Sequence, residues 1–271
     1  MRKALAALAV FGFVLLGQGI EELLAQADRL YDRWSGGFDF VVYEGRLREA
    51  IRLWEEALPK LSGEARREVL IKLSRAYFEL AEAYLSEREK EPAYGKGKDY
   101  ALLALRMDPE FVQVEGREGH RAALRAAKDV EALFWYGNNL GRWLSFHWFS
   151  ALAGGSQDVL AAFERAAELD EGYWGGGPRR ALGNFHAQTP GFLGGDQAQV
   201  EKEFLRAIEL DPDFLQNLVD YAELWAKDRD KELFCRLIAE ALKKAPEAQT
   251  KWPLYNHLAL ERARKLASFC P

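Results

Sequence analysis

The sequence predicts an all-α protein, built as an irregular stack of antiparallel helix pairs with about 11–12 helices. Apolar residues recur with a period near 3.6 residues in almost every segment, and Gly or Pro separates one segment from the next. The predicted helices cover residues 20–34, 47–58, 64–90, 99–106, 130–149, 157–169, 178–188, 197–210, 212–227, 231–243 and 254–269.

Local sequence features indicate where each predicted helix begins and ends. The first helix has apolar residues at positions 20, 23, 24, 27, 30, 31 and 34, which share one helical face. The run 38–43 resembles a strand but has no partner strand, so we expect an extended connection there. The later helices are separated, in order, by Ser62-Gly63, Pro92, Pro109, Gly154-Gly155, Gly175-Gly176-Gly177, Pro190-Gly191, Gly194-Gly195, Asp211-Pro212 and Pro246.

One sequence motif recurs within this series of helices. It is Ala-Leu-Arg-Met-Asp-Pro-Glu-Phe at 104–111, and it returns at 166–173, at 207–214 and, more weakly, at 49–58. This is the second helix of a tetratricopeptide (TPR) unit, in which a small Ala lets two helices approach and Asp-Pro ends the helix. The intervals between copies are unequal, whereas a regular array repeats every ~34 residues. We therefore predict a TPR-like fold with insertions, with turns at Gly154 and Gly195.

The N-terminus has the pattern of a signal peptide. Met1-Arg2-Lys3 is basic, residues 4–16 are almost wholly apolar, and Gly17-Gln18-Gly19 fits a cleavage site. We predict a signal peptide at 1–19, a single TPR-like domain at 20–271 and a periplasmic location, with an uncleaved anchor as the alternative. No Cys near the cleavage site offers a lipid anchor, and no later segment is apolar enough to cross a membrane.

The net charge argues against one class of protein, and the two cysteines can be paired or free. The formal net charge is −5, so nucleic-acid binding is not expected, because it needs a basic face. Cys235 and Cys270 can pair in an oxidising compartment. We expect them to be unpaired, because a loose tail rarely meets the geometry of a disulfide.

Catalytic and metal-binding motifs are absent from the sequence. It contains no HExxH, CxxC, G-x-S-x-G, P-loop or GxGxxG pattern, and its four histidines are far apart. We therefore expect no enzymatic activity, no cofactor and no metal site.

Three local patterns stand out as candidate site residues. Residues 134–143 combine four aromatic residues with two Asn and two Gly, more apolar surface than one packing face needs. This segment is interpreted as a helix lining an apolar pocket or, alternatively, as a central helix packed on all sides. The candidate pocket residues are Trp135, Tyr136, Asn138, Asn139, Arg142, Trp143 and, from the second pattern, Trp174.

The second pattern is Tyr173-Trp174-Gly175-Gly176-Gly177-Pro178-Arg179-Arg180. Pro178 suits the first helical position, where free N–H groups favour an anion, so Arg179 and Arg180 are a candidate anion site. The alternative is a tight loop with two exposed arginines. The third pattern, 189–196, is interpreted as a structural turn, with Asp196 as the N-cap of the next helix.

These patterns, in this order, resemble the T-component (TatT) family linked to tripartite ATP-independent periplasmic (TRAP) transporters. The resemblance spans residues 20–266 and is most specific between 133 and 242. It rests on Trp135-Tyr136-Gly137-Asn138-Asn139-Leu140-Gly141, on Gly176-Gly177-Pro178-Arg179-Arg180-Ala181-Leu182-Gly183, on Pro190-Gly191 to Gly194-Gly195-Asp196, and on the run 222–234.

The resemblance implies a periplasmic, non-enzymatic homotrimer whose subunits each carry an apolar cleft or pore. It implies partnership with the solute-binding subunit of a TRAP transporter, and a small apolar or organic-acid ligand in the cleft. The alternatives are a generic cell-envelope TPR scaffold that binds only protein and, third, an enzyme with an unfamiliar site. An enclosed apolar cavity beside the 133–143 helix favours the first function, and an open groove favours the scaffold.

Overall fold

The computed structural model describes residues 19–35, 37–244 and 251–271. Within these ranges the chain is all-α, as predicted, and no strand forms. The helices are α1 (19–31), α2 (Phe40–Ala57), α3 (Gly63–Ala83), α4 (Glu87–Leu105), α5 (Pro109–Glu118), α6 (His120–Ala126), α7 (Val130–Leu144), α8 (Ser156–Asp170), α9 (Tyr173–Gln188), α10 (Val200–Leu210), α11 (Leu215–Leu224), α12 (Lys231–Lys243) and α13 (Pro253–Ala267).

The recurring motif forms the predicted close helix contacts. Its alanines, at positions 57, 104, 166 and 207, are all buried. The aromatic residue three positions earlier packs on a glycine of the preceding helix, so that Phe163 faces Gly137 and Phe204 faces Gly183. Because glycine has no side chain, the aromatic ring fits directly against the backbone of its neighbour. This contact holds α8 on α7 and α10 on α9.

The strand-like run 38–43 is only partly extended, which corrects our expectation. The Asp39 side chain accepts hydrogen bonds from the backbone N–H groups of Val41 and Val42, so it caps α2 at Phe40. The Phe40 ring stacks on His257. A helix cap and a contact with the distant α13 therefore override the β propensity of these residues.

Other helix boundaries also differ from the prediction. A capping box of Ser86 and Glu89 divides the predicted helix 64–90 and starts α4, which tolerates Pro92 in its interior. Helices α5 and α6 were not predicted, although Asp108 followed by Pro109 is a helix start signal. Asp196 does not cap a helix: it accepts from the N–H of Ala198 within a turn, and α10 begins later.

The predicted turn glycines lie where the chain reverses. Gly154 has a φ of 117°, a backbone conformation that favours glycine. At the second turn the left-handed residue is Gly194, with a φ of 103°. A β-carbon on the adjacent Gly195 would collide with the backbone of Thr189, so this position also requires glycine.

The prediction that Cys235 and Cys270 are unpaired is wrong. They form a disulfide with a Cα–Cα distance of 5.6 Å. The C-terminal tail is not loose, because the N–H of Cys270 bonds to the carbonyl of Ala267 in a turn that extends α13. Since α13 packs on α12, this turn brings Cys270 to Cys235.

Helix α13 connects two hydrophobic clusters. Its first turns, with Leu254 and Tyr255, belong to a large cluster formed mainly by α1 to α9. Its last turns, with Ala263 and Leu266, belong to a smaller cluster formed by α10 to α13. One helix therefore fixes the two clusters against each other.

The predicted signal peptide, residues 1–19, lies outside the described residues except for Gly19. Among the helices that the structure describes, none has the length and hydropathy needed to cross a membrane.

Candidate functional site

A cavity of about 640 Å³ lies between α3, α7, α8, α9, α11 and α13. Pockets for small molecules typically measure about 300–1,000 Å³. Its aromatic and aliphatic lining consists of Phe78, Phe134, Trp135, Leu144, Trp148, Ala151, Val159, Phe163, Ala181, Phe185, Pro190, Leu193, Leu224, Leu254, Tyr255 and Leu258. Its charged lining consists of Glu79, Glu82, Arg142, Arg180, Asp220, Glu223 and Arg262.

Helix α7 presents one of its faces to this cavity. Asp129 caps the helix by accepting a hydrogen bond from the N–H of Ala132. The lining residues Trp135, Asn138 and Arg142 follow at the three- and four-residue spacing of one helical face. These three of the predicted α7 residues are therefore at the cavity wall.

The other three predicted α7 residues lie on a different face and are not among the lining residues. The Tyr136 hydroxyl lies 2.8 Å from Nε2 of His120. The amide of Asn139 donates to Ser74 of α3. The indole of Trp143 donates to Glu91 and stacks on His147. The aromatic composition indicated that α7 lines a pocket. The helical period is needed to tell which of its residues face the cavity and which face the neighbouring helices.

Trp174 supports the cavity wall without lining it. Its ring meets that of Trp135 edge to face, with centroids 5.3 Å apart, and also contacts Trp252 and Tyr255. Its φ is 51°, and Gly175 and Gly176 continue this left-handed turn. The unusual backbone inserts the indole behind Trp135, so Trp174 has a positioning role.

A buried ion pair closes one side of the cavity. Arg33 contacts Glu79 at 2.7 Å, and their side chains are 1% and 0% exposed. The carboxylate of Glu79 also accepts hydrogen bonds from the hydroxyls of Tyr31 and Tyr255. Burial raises the pKa of Tyr31 to about 12, so it remains a donor. Both terminal nitrogens of Arg33 are hydrogen-bonded, Nε is not, and the cluster joins α1, α3 and α13.

Further ion pairs lie on two walls of the cavity. Arg142 on α7 contacts Glu82 on α3 at 2.8 Å, and this carboxylate raises the pKa of Arg142. Arg262 on α13 contacts Asp220 on α11 at 2.8 Å and also bonds Glu223. Arg142 and Glu82 balance each other, whereas Arg262 faces two carboxylates, so these five groups carry one excess negative charge.

The structure does not bring Arg179 and Arg180 into one anion site. Consecutive helical residues point about 100° apart. Arg179 lies outside the cavity, where it contacts Glu171 at 2.8 Å and Glu203 at 3.2 Å. Arg180 faces the cavity and is buried, which corrects the alternative of two exposed arginines. Burial lowers the pKa of the Arg180 guanidinium to about 10.

Exposed apolar side chains lie next to lining residues of the cavity in the sequence. Phe149 is 84% exposed and Phe192 is 73% exposed. We define the aromatic rim as the exposed residues Phe146, Trp148, Phe149, Leu152 and Phe192. Trp148 also lines the cavity, and the Gln157 side-chain amide donates a hydrogen bond to the carbonyl of Leu193, the residue after Phe192.

Sequence reasoning missed the rim and most of the charged wall. The rim has a signal, because residues 143–157 contain no Asp, Glu, Lys or Arg in a chain that is 29% charged. No sequence signal marks the lining residues Glu82, Asp220 and Arg262, since they are far apart in the sequence and come together only in the folded chain. In the described parts of the chain, no group of three or more His, Cys, Asp or Glu residues is placed to bind a metal.

Comparisons with known proteins give one informative match. The model of the family described as TRAP transporter T-component matches residues 64–269, a range that contains every residue lining the cavity. No curated protein matches. A solved structure from "Computational Design of Self-Assembling Cyclic Protein Homooligomers" aligns over 92% of this chain and 93% of that chain, with 14% identity and a TM-score of 0.28. A similarity at that level carries no argument.

Proposed function

The chain belongs to the TRAP transporter T-component family, and we propose that it is a non-enzymatic accessory subunit that holds a small ligand in its cavity. The observation that carries this proposal is the cavity beside α7. It has the volume of a small-molecule site, and apolar side chains such as Phe185, Leu224 and Leu258 are among its lining residues. The cavity is partly open to solvent, so its volume rather than complete enclosure distinguishes it from the groove of a scaffold.

The lining favours an apolar compound or an organic acid. Aromatic and aliphatic residues make up half of the lining, so an apolar body gains free energy by leaving water. The ion pairs Glu82–Arg142 and Asp220–Arg262 are already satisfied within the protein. They give a strongly charged ligand little net attraction.

The aromatic rim is the proposed docking surface for the solute-binding subunit of the transporter. Aromatic residues are enriched in the cores of protein interfaces, and charged residues are depleted there. The rim has this composition, and Trp148 belongs to both the rim and the cavity. A partner on the rim would cover the cavity mouth, so a ligand could pass between the proteins without entering bulk water.

The proposed location is the periplasm and the proposed assembly is a homotrimer. The disulfide supports the location, because such bonds persist in oxidising compartments. The trimer rests on the family resemblance. Light scattering of the mature chain should give three times the monomer mass. A monomer at micromolar concentration would contradict the trimer and favour the envelope scaffold.

The partner is tested by affinity measurements with the solute-binding subunit of the same organism's TRAP transporter. Phe149→Ser in the rim should weaken binding about tenfold, as expected for an interface anchor. Leu205→Ser is the matched control, since Leu205 is 50% exposed and lies on α10, outside the rim. No binding by the wild-type chain, or equal losses in both variants, would contradict the proposed docking surface.

A further inference from the structure

We propose that Arg180 holds the carboxylate of the cavity ligand, so that the ligand is an amphipathic monocarboxylic acid rather than a purely apolar compound. This inference rests on the cavity function proposed above and specifies the ligand class. It depends on the placement of one guanidinium group and on the groups around it.

Arg180 is buried but poorly provided with acceptors. Its side chain is 8% exposed, and its guanidinium lies over the ring of Phe214 at 4.4 Å. Nη1 donates to Oδ1 of Asn217 at 3.1 Å. Within the part of the chain that the structure describes, this is the one hydrogen bond that the Arg180 guanidinium makes. A guanidinium has five N–H donors, and Arg180 is among the cavity-lining residues.

The nearest carboxylate to Arg180 is occupied by other groups. Asp220 lies 3.8 Å from Nε of Arg180, beyond hydrogen-bond distance. The same carboxylate accepts hydrogen bonds from Arg262 at 2.8 Å and from the amide of Asn184 at 3.2 Å. Arg180 is therefore a buried cation whose ion-pair partner makes no hydrogen bond to it, an arrangement that is costly unless a further acceptor completes it.

A second buried arginine shows the contrast within the same protein. Arg33 makes two hydrogen bonds to Glu79 and one to the hydroxyl of Tyr43. Glu79 keeps the pKa of Arg33 well above its usual value although burial opposes this, whereas burial lowers the pKa of Arg180. The protein hydrogen-bonds a carboxylate to Arg33 but gives Arg180 only the more distant carboxylate of Asp220.

The surroundings of Arg180 define the rest of the ligand. Phe185, Leu224 and Leu258 line the same cavity and offer apolar contacts to a chain or ring attached to the carboxylate. A small anion alone would bond the guanidinium but leave the cavity of about 640 Å³ largely unfilled. An acid with an apolar body fits both features.

Calorimetric titration with decanoate and decanamide tests the inference, because the two compounds share an apolar chain and differ in charge. At about pH 7.5 decanoate is ionised. The wild-type chain should bind decanoate about 10- to 100-fold more tightly than decanamide, as expected for charge-assisted hydrogen bonds. Arg180→Gln should bind the two compounds with similar affinity. Arg179→Gln, the adjacent arginine outside the cavity, should keep the wild-type preference.

The outcomes separate this inference from the cavity function. Equal binding of decanoate and decanamide by the wild-type chain overturns the carboxylate site but leaves a ligand-binding cavity. Binding of neither compound overturns both. If Arg179→Gln also loses the preference for decanoate over decanamide, the preference comes from general surface charge, and the carboxylate site at Arg180 is overturned. If Arg180→Gln does not fold, the relative affinities of the wild-type chain for decanoate and decanamide still test the inference. Arg180→Lys then replaces the Gln variant and should show a reduced preference for decanoate.

Discussion

The ring of Phe163 on α8 occupies the space that a β-carbon on Gly137 of α7 would need, with Cε1 2.6 Å from that position. Gly183 and Phe204 repeat this relationship between α9 and α10, at 3.0 Å. Because Gly137 and Phe163 also line the cavity, the same contact that holds α7 to α8 shapes the cavity wall.

Gly137→Ala should therefore destabilise the protein. The cost of overpacking, about 1–3 kcal/mol, exceeds the helix propensity gained, roughly 0.5–1 kcal/mol. Gly141→Ala is the matched control on the same helix, because its β-carbon would lie 3.6 Å from Val159, an ordinary contact. It should be neutral or stabilising. Chemical denaturation of both variants checks the prediction, and a stabilised Gly137→Ala would contradict it.

Loss of the disulfide should lower the free energy of unfolding. Cys235 and Cys270 are 35 residues apart, and closing a loop of that size stabilises a protein by about 2–4 kcal/mol. The double variant Cys235→Ser, Cys270→Ser should remain folded and unfold at lower denaturant concentration. Reductant should lower the wild-type stability and leave the variant unchanged. Two free thiols in native protein from an oxidising compartment would show that the bond does not form.

The buried carboxylate of Glu79 should contribute more to the free energy of unfolding than an exposed carboxylate does. Glu79→Ala leaves Arg33 buried without its partner, which typically costs about 3–5 kcal/mol. Glu49, paired with Arg52 at the surface, provides the control, and Glu49→Ala should change stability little. Denaturant unfolding of both variants measures the difference. Similar small losses would mean that water already reaches the Arg33–Glu79 pair.

Stability should decrease on mild acidification because of His257. Burial lowers its pKa from the usual 6.5, and Phe40 stacks on its ring. Below pH 6.5 the unfolded chain binds a proton more readily than the folded chain does, so stability falls as the pH drops. His257→Gln should show a smaller decrease in thermal midpoint between about pH 7.5 and pH 5.5. An equal decrease in both proteins would exclude this role for His257.

The sequence predicted the helical class well because burial on one face leaves a clear period, and the repeated motif indicated the buried positions of Ala166 and Ala207. It located part of the cavity through the aromatic residues of α7. It could not separate Arg179 from Arg180, since their different surroundings depend on distant helices. The same reason applies to Tyr255, which bonds Glu79 across 176 residues of sequence. The disulfide was missed because the turn after α13 depends on tertiary packing.

A crystal structure of the chain with 10-bromodecanoate tests the central claim, that the cavity beside α7 is the ligand site, most directly. Anomalous scattering locates the bromine independently of the remaining density. We predict a bromine peak inside the cavity, at the end of a chain that passes Trp135, with the carboxylate on Arg180. Bromine peaks confined to the protein surface, with no ligand density in the cavity, would contradict the account.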